Sequence, residues 1–100
     1  METRKSLEIL IKLNASDMLI FNQTGAVGLK YIKNQMSAPV ITYQSENITK
    51  SIKYANKIKL PVIKHNIADS INSDLKIGDE IPESMYNPVA QIYARVLAKI

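Results

Sequence analysis

Four consecutive apolar residues, Met18-Leu19-Ile20-Phe21, stand between Asp17 and Asn22, and this run constrains the fold more than any other feature of the chain. A strand alternates its side chains between two faces, so an unbroken apolar strand needs cover on both. The rest of the chain must supply strands to pair with it and helices to lie above and below. With 100 residues, 46% of them hydrophobic, it can close one core without a staple. None is offered: cysteine is absent and His65 is the single histidine. That count excludes Cys/His zinc sites, cysteine nucleophiles and disulfide frameworks, and no metal or cofactor is expected. No apolar run approaches the roughly 20 residues of a membrane-spanning helix. Glu8 and Lys12 interrupt the stretch Leu7 to Leu13, which removes it as a secretory signal. A cytoplasmic protein is expected.

The remaining segments read as one domain over residues 1–100, with residues 1–16 a helical lead-in centred on Ser6 to Leu13. After the turn signal Asn22-Gln23-Thr24-Gly25, Val27, Leu29 and Tyr31 alternate at period two and predict a strand over 26–32. Pro39-Val40-Ile41-Thr42-Tyr43 predicts a third strand. Ser45 is the expected N-cap of a helix to about Ile58, with Ile48, Ile52 and Ala55 on its packed face and Lys50, Lys53 and Lys57 on its wet one. Leu60 to Ile63 predicts a fourth strand, parallel to the third through a β-α-β crossover. Asn66 is the expected cap of a short helix ended by Gly78. Pro82 suggests a turn and Pro88 a kink. From there Asn87 would cap a last helix to Lys99, mostly buried through Val89, Ile92, Tyr93, Val96, Leu97 and Ile100, with Ala90, Ala94 and Ala98 beside them. The fold class is α/β (α+β): a small mixed sheet of about four strands surrounded by about four helices.

The net charge of +4 hides a segregation. Residues 30–64 carry seven lysines against Glu46, whereas residues 65–83 carry five carboxylates against Lys76. No Gly-x-Gly-x-x-Gly or Gly-Lys-Ser/Thr string is present, so nucleotide chemistry has no support. The acidic run Asp74, Asp79, Glu80 and Glu83 lacks the spacing of a calcium loop and reads as a solvated loop. His65 has no partner for catalysis and reads as an exposed strand-end residue. Lys50, Lys53 and Lys57, with Tyr43 and Tyr54 nearby, could hold nucleic-acid phosphates, although any amphipathic helix in a lysine-rich chain shows such a face.

In order along the chain stand Asn22-Gln23-Thr24-Gly25, Gly28-Leu29-Lys30-Tyr31, Met36-Ser37-Ala38-Pro39-Val40-Ile41 and the run from Ile77-Gly78-Asp79-Glu80-Ile81-Pro82-Glu83 to Ala90. Together they resemble the cytoplasmic C-terminal domain of the flagellar and type III secretion export switch protein, the FlhB/YscU family. The family shows Asn-Pro-Thr-His, Ala-Leu-Lys-Tyr, Met-x-Ala-Pro-x-Val and Val-Gly-Asp/Gln-Glu-Ile-Pro-Glu-Glu-Leu-Tyr at these places, and the likeness runs from Asp17 to Leu97.

The resemblance implies a bacterial protein-transport role and a self-cleaving loop, and the loop is where this chain departs. Family members cut themselves when the Asn side-chain amide attacks its own main-chain carbonyl, with proline blocking the competing attack by the next main-chain nitrogen. Gln23 restores that N–H, and Gly25, or a one-residue gap beside it, replaces the family histidine. Asn22 to Gly25 is therefore expected to be a vestigial, uncut loop. The 100 residues hold no counterpart of the family's four-helix membrane domain, and a stand-alone paralogue is expected, with a truncated piece of a divergent full-length member as the alternative. The resemblance implies a non-enzymatic docking module at the inner-membrane export apparatus. Its partners would be export-gate membrane proteins, export substrates or a length-sensing regulator, with Lys50, Lys53 and Lys57 as a candidate docking face. A small basic nucleic-acid-binding domain is the alternative, and a self-processing domain survives if Gln23 is tolerated.

Overall fold

The computed structural model describes residues 4–97. Its elements in order are α1 (Arg4–Asn14), β1 (Met18–Asn22), β2 (Gly25–Lys30), β3 (Val40–Ser45), α2 (Ile48–Lys57), β4 (Val62–Lys64), α3 (Ile67–Asp74), a 3-10 turn (Glu83–Met85) and α4 (Tyr86–Leu97). The four strands form one mixed sheet in the order β3-β2-β1-β4, antiparallel between β1 and β2 and between β2 and β3, and parallel between β1 and β4. The expected α+β class is observed. β3 and β4 do run in the same direction, but β4 lies against β1 at the far side of the sheet, so the crossover through α2 spans two strands.

The apolar run divides as its alternation requires. Met18 and Ile20 join one cluster with Val27, Leu29 and Ile41 and with Ala68, Ile71, Met85, Val89, Ile92 and Val96 of α3 to α4. Leu19 joins Leu13, Ala26, Tyr43, Tyr54 and Ala55 on the opposite face, beneath α1 and α2. Met18, Leu19 and Ile20 are fully buried, each side chain contributing about 1.5–3 kcal/mol relative to exposure.

Strand period fails at one place, for a visible reason. Gly28 faces Tyr43 and Leu29 faces Ile41, so Thr42 is an extra residue in β3. This bulge turns Ile41 and Tyr43 toward opposite clusters although they are two residues apart. The Thr42 hydroxyl meets Ser16 Oγ at 2.5 Å. A Cβ on Gly28 would lie 2.6 Å from that same Ser16 oxygen, so only glycine fits opposite the bulge.

Several boundaries move. β2 starts at Gly25 and stops at Lys30 rather than running to residue 32, and it is covered on both faces. β3 continues through Ser45, which pairs with Ala26, so Asn47 replaces Ser45 as the N-cap of α2, its side chain accepting the Lys50 N–H at 3.0 Å. The packed face of α2 is Ser51, Tyr54 and Ala55, with Ile52 half-buried. α3 is not capped by the Asn66 side chain; His65 turns back instead, and its Nδ1 accepts the Ile67 N–H at 3.0 Å. α3 ends at Asp74, because Leu75 is extended and residues 78–81 hydrogen-bond along β3 at Pro39 and Ile41.

The last helix departs most. It begins at Tyr86, directly after the 3-10 turn, and Pro88 makes no kink because first-turn N–H groups have no intrahelical acceptor. Val89, Ile92 and Val96 are buried, while Ala90, Ala94 and Leu97 are exposed. α4 is therefore covered on one side only, since α1 lies across the sheet and cannot reach it. The expectations for Ala98, Lys99 and Ile100 lie outside the described residues.

Candidate functional site

The segment Asn22-Gln23-Thr24-Gly25 is the β1–β2 hairpin, in which Asn22 pairs with Gly25 across a two-residue turn. Neither Gln23 nor Thr24 has positive φ, which excludes the primed turns usual in two-residue hairpins. A carboxylate from α3 takes up the donors of this turn. Asp69 Oδ2 accepts Asn22 Nδ2–H at 2.7 Å, and Oδ1 accepts both the Thr24 hydroxyl at 2.6 Å and the Thr24 main-chain N–H at 3.1 Å. The Asp69 carboxyl is held below its usual range. The Thr24 hydroxyl is the largest cause and the Thr24 N–H the next; partial desolvation opposes them, and Asn22 adds a smaller lowering.

Gly25 sits where β2 meets β3. A Cβ there would lie 2.5 Å from the Ser45 main-chain oxygen and 2.9 Å from Asn72 Nδ2. Position 25 therefore has no room for a side chain without a shift of the Ser45 main chain.

A second site was hidden in the expectation that α4 is buried. Its bare side and the 31–39 loop enclose an apolar groove of about 450 Å³. Tyr31, Ala38 and Pro39 form one wall, and Tyr86, Ala90, Tyr93, Ala94 and Leu97 the other. Tyr31 is 38% exposed, Tyr86 41% and Leu97 62%, which is unusual for large apolar side chains sharing one depression. The Tyr31 and Tyr93 rings meet edge-on at 6.4 Å. Asp17 fixes both walls: its Oδ2 accepts the Tyr93 hydroxyl at 3.0 Å and the Tyr31 N–H at 2.8 Å, and its Oδ1 pairs with Lys30 at 3.3 Å. Burial first, and then the Asp17 charge and hydrogen bond, raise the Tyr93 phenol well above its ordinary range.

The three lysines of α2 have different neighbours. Lys53 and Lys57 each stand 5.9 Å from the centroid of the Tyr54 ring, a cation–π arrangement. Lys50 lines a depression with Lys5 and Lys12 of α1. Tyr43 and Tyr54 are buried, Tyr43 hydrogen-bonded to Ser51 and Tyr54 to Ser6.

Sequence reasoning counts Asp69 in the negative balance of residues 65–83 and gives it no role, because no local pattern ties it to Asn22. It did single out Ala38, Pro39, Tyr93 and the alanines of α4, but as landmarks or core. Among the described residues no group of carboxylates and imidazole could hold a metal ion, and no helix is long and apolar enough to cross a membrane.

The fold has known counterparts. The cytoplasmic domain of FlhB from Shewanella putrefaciens superimposes with a TM-score of 0.81 at 22% identity, over 97% of this chain and 78% of that one. The EscU C-terminal domain carrying an Asn-to-Asp substitution gives a TM-score of 0.83 at 19% identity, over 96% of this chain and 94% of that one. A form of the EscU domain with a Pro-to-Ala substitution gives 0.79 at 24% identity, over 87% and 90%. Comparison with curated protein sequences returns no match. The profile of the FlhB HrpN YscU SpaS family matches residues 2–96, nearly the whole chain. The chain belongs to the FlhB HrpN YscU SpaS family.

Proposed function

We propose that residues 1–100 form a single non-enzymatic, protein-binding domain of a bacterial flagellar or type III export apparatus, working on the cytoplasmic side. The observation that carries this reading is the groove between the 31–39 loop and α4. An apolar depression framed by three tyrosines, and left open by a helix with a bare alanine side, suits a short apolar segment of a partner chain. Family membership points to an export substrate as the partner. Export-gate proteins or a length-sensing regulator would meet other surfaces, among them the lysines of α2.

The Asn22 to Gly25 hairpin is read as uncut. Gln23 keeps an N–H where the family has proline, and Gly25 offers no imidazole. Nucleic-acid binding finds little support, because Tyr43 and Tyr54 are buried and present no face for base stacking.

The test is binding of an export-substrate segment to wild type and to Ala94→Glu, followed by calorimetry. Ala94 is exposed, so the fold should be unchanged while affinity falls at least tenfold, about 1.4 kcal/mol. Equal affinity for both proteins would rule out the groove as the binding surface.

A further inference from the structure

The Asn22 side-chain amide can break or alter the chain by closing a five-membered ring, and it is the group that Asp69 holds. Two reactions are open to it. In the first, Nδ2 attacks the Asn22 main-chain carbonyl carbon: the Nδ2–C bond forms, the Asn22–Gln23 peptide bond breaks, and a proton passes from Nδ2 to the departing Gln23 nitrogen. In the second, the Gln23 main-chain nitrogen attacks Asn22 Cγ. An N–Cγ bond then forms, the Gln23 N–H proton passes to Nδ2, which leaves as ammonia, and water opens the ring to aspartate or isoaspartate.

Each reaction needs the Asn22 amide to rotate over the main chain of the turn. The structure sets it elsewhere: Nδ2 is 2.7 Å from Asp69 Oδ2, pulled across to α3, while the Asn22 main chain is held in register with Gly25. A hydrogen bond to a charged acceptor is short and strong, and this one fixes the amide plane. The other Asp69 oxygen takes two donors from Thr24, which prevents the carboxylate from following the amide if it turns.

We infer that Asp69 is a positioning residue that locks the Asn22 amide away from its own main chain and so protects the Asn22–Gln23 bond. The lock is separate from the Gln23 N–H, which only diverts one reaction into the other. The inference rests on the reading of the hairpin as uncut, and it adds a cause for it that lies 47 residues away in sequence.

The test is intact mass and peptide mapping of wild type, Asp69→Asn, Asp69→Glu, Thr24→Val and Asn22→Ala, incubated for weeks at neutral pH and checked for folding by circular dichroism. Asp69 is partly exposed at the surface, so its substitution leaves the core intact. Wild type cleaved at Asn22–Gln23 would sink the uncut reading itself. With wild type intact, Asp69→Asn should gain cleavage plus deamidation at Asn22 by roughly tenfold or more, the scale of one charge-assisted hydrogen bond. Asp69→Glu, which keeps the charge, should gain less. Thr24→Val removes one of the two donors that hold the carboxylate but leaves the Thr24 N–H and the Asn22–Asp69 bond, and should fall between wild type and Asp69→Asn. Asn22→Ala should be inert. Asp69→Asn no faster than wild type, or Thr24→Val as fast as Asp69→Asn, would overturn the lock while leaving the uncut reading in place. A slower Asp69→Asn would assign the carboxylate the opposite role, as a base.

Discussion

Tyr93 of the last helix donates its hydroxyl to Asp17, the residue that opens the central strand, at 3.0 Å. The same carboxylate oxygen accepts the Tyr31 N–H from the end of β2. One side chain outside the groove thereby ties together the two walls that frame it. The groove is a product of this polar anchor as much as of the apolar residues around it.

Removing the anchor has a predicted cost. Tyr93→Phe keeps the ring and loses the hydrogen bond, for about 1–2 kcal/mol, or a fall in melting temperature of roughly 4–8 °C per kcal/mol in a domain of this size. The raised Tyr93 phenol adds a pH effect. The unfolded chain ionises this group near pH 10 and the folded protein does so only above that, so its contribution is full below about pH 10 and is lost as pH rises. Urea midpoints between pH 8 and 11 should decline more steeply for wild type than for Tyr93→Phe. Parallel curves would contradict the buried hydroxyl.

The Asp69 carboxyl titrates in the opposite sense. Its folded value is depressed by its Thr24 and Asn22 donors, so the stability it adds is present above about pH 4 and is lost as pH falls through the folded value. The Thr24 amide proton, followed by NMR, should shift with an apparent midpoint below 3.9. Asp69→Asn should abolish that transition.

The hairpin should accept a proline at one position and refuse a side chain at another. Gln23 has negative φ, which proline also requires, so Gln23→Pro should change stability by no more than about 1 kcal/mol. Gly25→His must force a Cβ against the Ser45 carbonyl oxygen and should cost about 3 kcal/mol or more. Thermal melts of the two variants decide the matter: a Gly25→His protein as stable as wild type would mean that the β2–β3 contact is loose.

The lysines of α2 should separate by function. Lys53→Ala and Lys57→Ala each lose a cation–π contact with Tyr54 and should each cost about 0.5–1 kcal/mol, whereas Lys50→Ala should leave the melting temperature nearly unchanged. Reversing all three charges should weaken an acidic export-gate partner, with the loss largest at low salt. Unchanged binding would remove this face as a docking surface.

How much was legible depends on the range of the interactions involved. The two-sided burial of Met18 to Phe21 follows from alternation along a strand, and the amphipathic order of α2 follows from helical spacing. The N-cap of α2 moved from Ser45 to Asn47 because pairing with Ala26 kept Ser45 in β3. The bulge at Thr42 was invisible, since it depends on Gly28 and Ser16 from other elements. The motif residues Asn22 and Thr24 were read from sequence, yet their acceptor Asp69 was not, because no period links a hairpin to a helix so far along the chain.

By itself the sequence determined the element types, the mixed sheet and the family, since these rest on local periodicity and on landmarks that keep their order. Only the tertiary structure decided which side of α4 stays bare, which carboxylate holds the hairpin, and why position 25 is glycine. Those outcomes depend on which surfaces meet across the sheet, and contacts between distant residues leave no periodic trace in a single chain.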